Sequence, residues 1–152
     1  MSEVLRTIQQ DLRSALKGGD RARVNALRFL VSQIQYARIA KQADLTDEDV
    51  LAVLAKQAKN RKESIEAFRQ GGRQDLIDKE SRELTLIEAY LPAQVGVDEI
   101  RERIRAVIAA EGLQGAVDLG RLMKTLMAEF RGRADGSVIS RIAREELEGA
   151  AS

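Results

Sequence analysis

Apolar residues recur at helical spacing in seven runs along this chain. Val4, Leu5, Ile8, Leu12, Ala15 and Leu16 fall on one face of a helix from about Ser2 to Lys17. Gly18-Gly19 ends it, because glycine readily takes the left-handed conformation at a helix C-terminus. Asp20 is placed to cap a second helix, which carries Val24, Leu27, Val31 and Ile34 to about Lys41. A polar link from Gln42 to Leu45 comes after it. Thr46-Asp47-Glu48-Asp49 then opens a third helix with an acidic, capping-box-like turn. That helix runs to about Gln70, and a fourth fills Arg73 to Leu91 across a Gly71-Gly72 break. Pro92 disfavours helix at the residue before it and Gly96 loosens the link, so 92–96 is the expected boundary. Three shorter helices come next. Ile100, Ile104, Val107 and Ile108 mark the first. Leu119, Leu122, Met123, Leu126, Met127 and Phe130 mark the second, with Asp118 as its expected cap. Val138, Ile139, Ile142 and Leu147 mark the third, after Asp135-Gly136-Ser137. No segment alternates as a strand would. The pattern predicts an all-α protein. Residues 1–92 form an N-terminal four-helix subdomain and residues 97–152 a small C-terminal three-helix subdomain.

Two charges interrupt the apolar faces. Arg61 lies on the face of the third helix marked by Leu54, Ala58, Ile65 and Phe68. Glu80 lies on the face of the fourth marked by Leu76, Leu84, Ile87 and Leu91. Both sit about ten residues from the glycine break, which gives them nearly the same height in an antiparallel hairpin at ~1.5 Å rise per residue. They are expected to form a structural ion pair in the seam, with Glu83 as the other candidate partner.

These residues also carry a resemblance. Arg61-Lys62-x-Ser64, Arg73-x-Asp75-Leu76, Glu80, Glu83 and Tyr90-Leu91-Pro92 resemble the signature of the GatB/YqeY family. Gly120, Met123, Met127 and Arg131-Gly132-Arg133-Ala134-Asp135-Gly136 continue it in register, so the match spans nearly the whole chain. In that family the free-standing protein is similar to the C-terminal tail of the B subunit of the tRNA-dependent amidotransferase, a tail that contacts tRNA. The resemblance therefore implies tRNA and the amidotransferase subunits as partners.

Composition narrows the chemistry. The 152 residues hold one proline, few aromatics and a net charge of +1, so no global basic signature of nucleic-acid binding is present. Cysteine and histidine are both absent, which removes thiolate chemistry, the commonest general base and the commonest metal ligand. Neither a metal nor a cofactor is expected, and the carboxylates Asp47, Glu48 and Asp49 are explained by helix-start chemistry. No apolar run is long enough to span a membrane and the N-terminus lacks signal-peptide character, so a cytoplasmic protein is the expectation.

The charge pattern near the C-terminal end adds one candidate site. Between Arg121 and Arg144 there are six basic residues (Arg121, Lys124, Arg131, Arg133, Arg141 and Arg144) against two acidic ones (Glu129 and Asp135), an excess of +4. Arg131-Gly132-Arg133 lies in a connection, where flexible backbone lets guanidinium forks approach phosphates. A solvated basic surface is the other reading. Arg121, Lys124, Arg131, Gly132, Arg133 and Arg141 are the candidate RNA-binding residues. Without interleaved aromatics, recognition would run through backbone and shape rather than base stacking.

No catalytic residue is assigned. The chain lacks a Ser-Ser-Lys amidase centre and a phosphate-cradling glycine loop. Three functions are in view: a tRNA-associated accessory protein, carbon–nitrogen ligation with glutamine as amido-N-donor carried out with partner subunits, and a helical protein-interaction module.

Overall fold

Local sequence rules set most of the helix ends. The computed structural model describes residues 1–151 and contains seven α-helices and no strand among them. They are α1 (Glu3–Gly18), α2 (Arg21–Lys41), α3 (Asp47–Gln70), α4 (Gln74–Glu88), α5 (Val97–Glu111), α6 (Leu119–Glu129) and α7 (Gly136–Ala151). Helix α1 ends on Gly19, whose φ of +68° is the left-handed conformation that glycine supplies at little cost. Asp20 accepts a hydrogen bond from the Arg23 N–H and starts α2. Thr46 and Asp49 exchange the reciprocal bonds of a capping box and start α3.

The helices form two units, residues 1–91 and residues 92 onward. Each has its own core. Ile8, Leu27, Leu30, Ile34, Val50, Leu54 and Ile87 fill the first. Ile100, Ile104, Leu122, Leu126, Ile139, Ile142 and Leu147 fill the second. Each fully buried aliphatic side chain stabilises its unit by about 1.5–3 kcal/mol relative to exposure. Within the first unit α4 packs chiefly on α3, and α1 chiefly on α2. Two side-chain links tie distant parts of that unit together. Ser2 Oγ donates to Asp47 in the first turn of α3, and Tyr90 Oη donates to Asp11 on α1.

Three expectations need correction. Helix α4 stops at Glu88 rather than Leu91, because the chain tightens into i→i+3 bonds from Tyr90 N to Ile87 O and from Leu91 N to Glu88 O. Asp118 makes no cap for α6. A short 3-10 turn, Ala116–Asp118, precedes that helix, and the Asp118 carboxylate accepts from the Gln114 N–H at 2.7 Å instead. Met127, which spacing puts on the apolar face of α6 with Met123, is 40% exposed, with its methyl group against Gly136.

Pro92 falls with the second unit. The segment after it is stitched to the connection between α6 and α7. Val95 N–H donates to Arg133 O at 3.0 Å, Gln94 Nε2 donates to Gly132 O at 2.9 Å, and Arg133 Nε donates to Ala93 O at 3.3 Å.

Candidate functional site

The candidate RNA-binding residues fall into two sets. Arg121 and Lys124 lie three residues apart on the exposed side of α6, opposite buried Leu122 and Leu126. Neither side chain has a carboxylate partner among the described residues. Arg144, on the exposed side of α7, is likewise unpaired there; it contributes to the basic excess, although it lies on a helix rather than in a connection. These side chains carry charge that nothing among the described residues neutralises.

The other set is already engaged. Gly132 has φ +73°, a conformation L side chains rarely adopt. A Cβ there would touch the Pro92 ring at 3.7 Å, which is ordinary contact, so the backbone angle is what demands glycine. Arg133 is half-buried, with its Nε held by Ala93 O, its N–H by Phe130 O, and its own carbonyl accepting from Val95. Arg141 pairs with Glu145 at 3.4 Å on the same helix. Arg131 is exposed, as the tip of this connection requires. Asp135 accepts from the N–H and the Oγ–H of Ser137 and so starts α7. The Arg-Gly-Arg connection is therefore a built corner rather than a loose loop.

Elsewhere the second unit neutralises its own cations. Arg101 reaches Glu146 at 2.6 Å and Glu145 at 2.8 Å, and Arg105 reaches Glu146 at 2.8 Å. Arg105, and then Arg101, hold the Glu146 carboxyl below its ordinary range. Arg103 grips Glu129 through Nε at 2.8 Å. From Pro92 onward the sequence has nine basic and ten acidic residues, a net charge of −1. The +4 excess between Arg121 and Arg144 is therefore local.

In the first unit Arg61 Nε sits 3.3 Å from Glu80 and 2.9 Å from Glu83, so two carboxylates share one guanidinium. The three side chains are 15%, 18% and 24% exposed respectively. Arg61 Nε and Glu80 Oε2 are fully buried without a hydrogen-bond partner, so the contact is an ion pair by distance and not by donor direction. The guanidinium also lies 5.1 Å from the centroid of the Phe29 ring, a cation–π contact with α2 that the spacing on α3 and α4 does not reveal. Among the described residues no group of three or more Asp or Glu side chains is arranged to hold a metal ion, and no helix is long and apolar enough to cross a membrane.

Known proteins resemble this chain along most of its length. Altered inheritance of mitochondria protein 41 of Pyrenophora tritici-repentis is 32% identical over 147 residues, covering 93% of this chain and 80% of that protein. An uncharacterized protein of Schizosaccharomyces pombe is 35% identical over 85 residues, 56% of this chain and 69% of its own length. The Eremothecium gossypii protein named like the first is 32% identical over 93 residues, 60% of this chain and about half, 51%, of that protein. The first and third are named as mitochondrial. That finding corrects the cytoplasmic expectation: the hydropathy of a folded domain's helices does not report the compartment in which it works. The model of the YqeY-like protein family matches residues 5–147, and the chain belongs to that family.

Proposed function

We propose that this chain is a tRNA-associated accessory protein that holds the phosphate backbone through its second unit. The observation that carries the reading is the Arg121–Lys124 pair on α6, exposed and without a carboxylate partner among the described residues. Arg144, exposed on α7 and likewise without a carboxylate partner among the described residues, extends the set, and Arg131 at the tip of the connection is exposed. Gly132, Arg133 and Arg141 act indirectly: the first two keep the corner in shape, and Arg141 is partly neutralised by Glu145. Phosphate contacts of this kind position a protein on RNA without reading sequence. Without a Ser-Ser-Lys amidase centre in the sequence, amide transfer from glutamine would fall to partner subunits. The test is binding of unfractionated tRNA at low salt by the wild type and by the R121A/K124A variant. The reading expects binding by the wild type and a loss of about tenfold or more in the variant. Absence of wild-type binding would overturn it.

A further inference from the structure

The first unit has a groove that the RNA reading does not use. Helices α2 and α4 form its walls, and Arg61 of α3 reaches into its floor. It encloses about 750 Å³, within the ~300–1,000 Å³ typical of small-molecule sites. Leu30, Leu86 and Ile87 supply an apolar lining, and Phe29, 41% exposed, presents its ring beside the Arg61 guanidinium.

The charges lining the groove are unequal in a telling way. Its three carboxylates are all occupied. Asp20 caps α2, and Glu80 and Glu83 flank Arg61. Arg23 is turned toward Tyr90. Lys79 and Arg82, three residues apart on the α4 wall, have no acceptor among the described residues. The charge left over for a ligand is positive and sits beside an exposed aromatic ring and an apolar floor. We infer that this groove binds a small aromatic anion, with the ring against Phe29 and the anionic group on Lys79 and Arg82. Arg61 is a positioning residue. Held by two carboxylates on one edge and by the Phe29 ring on its face, it fixes the aromatic wall against which the ligand packs.

The test uses the full chain and two fluorescent probes with the same ring system. One is 8-anilinonaphthalene-1-sulfonate. The other is N-phenyl-1-naphthylamine, which lacks the sulfonate. The sulfonate probe is expected to bind saturably, one per chain, and about tenfold or more tighter than the neutral one. K79E/R82E should weaken the sulfonate probe by about tenfold or more and leave the neutral probe within about twofold. F29A should weaken both. The equal charge change K56E/K62E, outside the groove, should alter neither, and unchanged circular dichroism would show that each variant is folded. Equal affinity for the two probes, no saturable binding, or equal losses in K79E/R82E and K56E/K62E would each overturn the assignment. All of these outcomes are independent of tRNA binding.

Discussion

Gly132 shows how much one residue can carry. Its φ of +73° turns the chain between α6 and α7 so that its carbonyl meets Gln94 and its neighbour Arg133 meets Ala93 and Val95. Gly132→Ala should cost about 1–2 kcal/mol in equilibrium unfolding, the cost of the left-handed conformation for an L residue, since the added methyl itself fits beside Pro92. Gly120→Ala, with open space and an ordinary helical angle, should stabilise or be neutral in the same measurement. A G132A variant as stable as wild type would show that the corner relaxes. Arg61 is the second case. Arg61→Met would leave Glu80 and Glu83 facing each other without a cation, at a cost of roughly 3 kcal/mol for groups that are mostly but not wholly buried. Chemical denaturation should show R61M/E80Q recovering part of that loss. The pair is legible in the sequence because two opposite charges stand at matched heights on apolar faces. Phe29 is not legible, because its partner lies on another helix more than thirty positions away and its own spacing fits a partly exposed flank of α2.

At the scale of elements, boundaries are legible wherever the signal is local. Thr46 and Asp49 three residues apart specify a reciprocal cap, and α3 begins there. Asp118 offers a similar signal before α6 but is claimed by the Gln114 N–H, because the chain enters through a 3-10 turn that places the carboxylate on the wrong side for α6. The end of α4 is hidden for a related reason: Leu91 keeps the apolar phase after the hydrogen bonding has already tightened. The cap of α3 also makes a testable pH dependence. The Lys41 ammonium, then the Thr46 N–H, hold the Asp49 carboxyl down to about 2, against an ordinary value of 3.8. A carboxyl lowered in the folded state stabilises it above the ordinary value, and that contribution is lost as pH falls from about 4 toward 2. Thermal unfolding of Asp49→Asn should therefore show a shallower decline than wild type across that window. Thr46→Ala should lose about 1 kcal/mol at neutral pH. Parallel acid profiles for D49N and wild type would remove Asp49 from the account.

For the whole molecule the deciding quantity is where the charge lies, since the total is only +1. A chain this close to neutral generates little long-range attraction for a polyanion, so any grip on RNA must come from contacts made at short range. The run between Arg121 and Arg144 marks a basic end in the sequence. Residue spacing cannot show that Arg133 uses its hydrogen bonds internally, or that Arg101, Arg103 and Arg105 are matched by Glu145, Glu146 and Glu129. Pairing across helices depends on packing, which spacing alone does not fix. The cations Arg121, Lys124 and Arg144, unpaired among the described residues, then set an expectation for the salt dependence of tRNA binding. Each phosphate neutralised releases about one counterion, so the logarithm of affinity should fall with the logarithm of salt at a slope near the number of contacts, a few rather than about ten. Removing Arg121 and Lys124 together should lower that slope by about two and weaken many tRNAs alike, because these contacts carry no sequence information. Arg133→Ala should act differently. It disturbs the corner that presents Arg131, so it should reduce affinity while changing the slope by less than about one. A slope unchanged in R121A/K124A, measured from low to physiological salt, would move the RNA contact off α6.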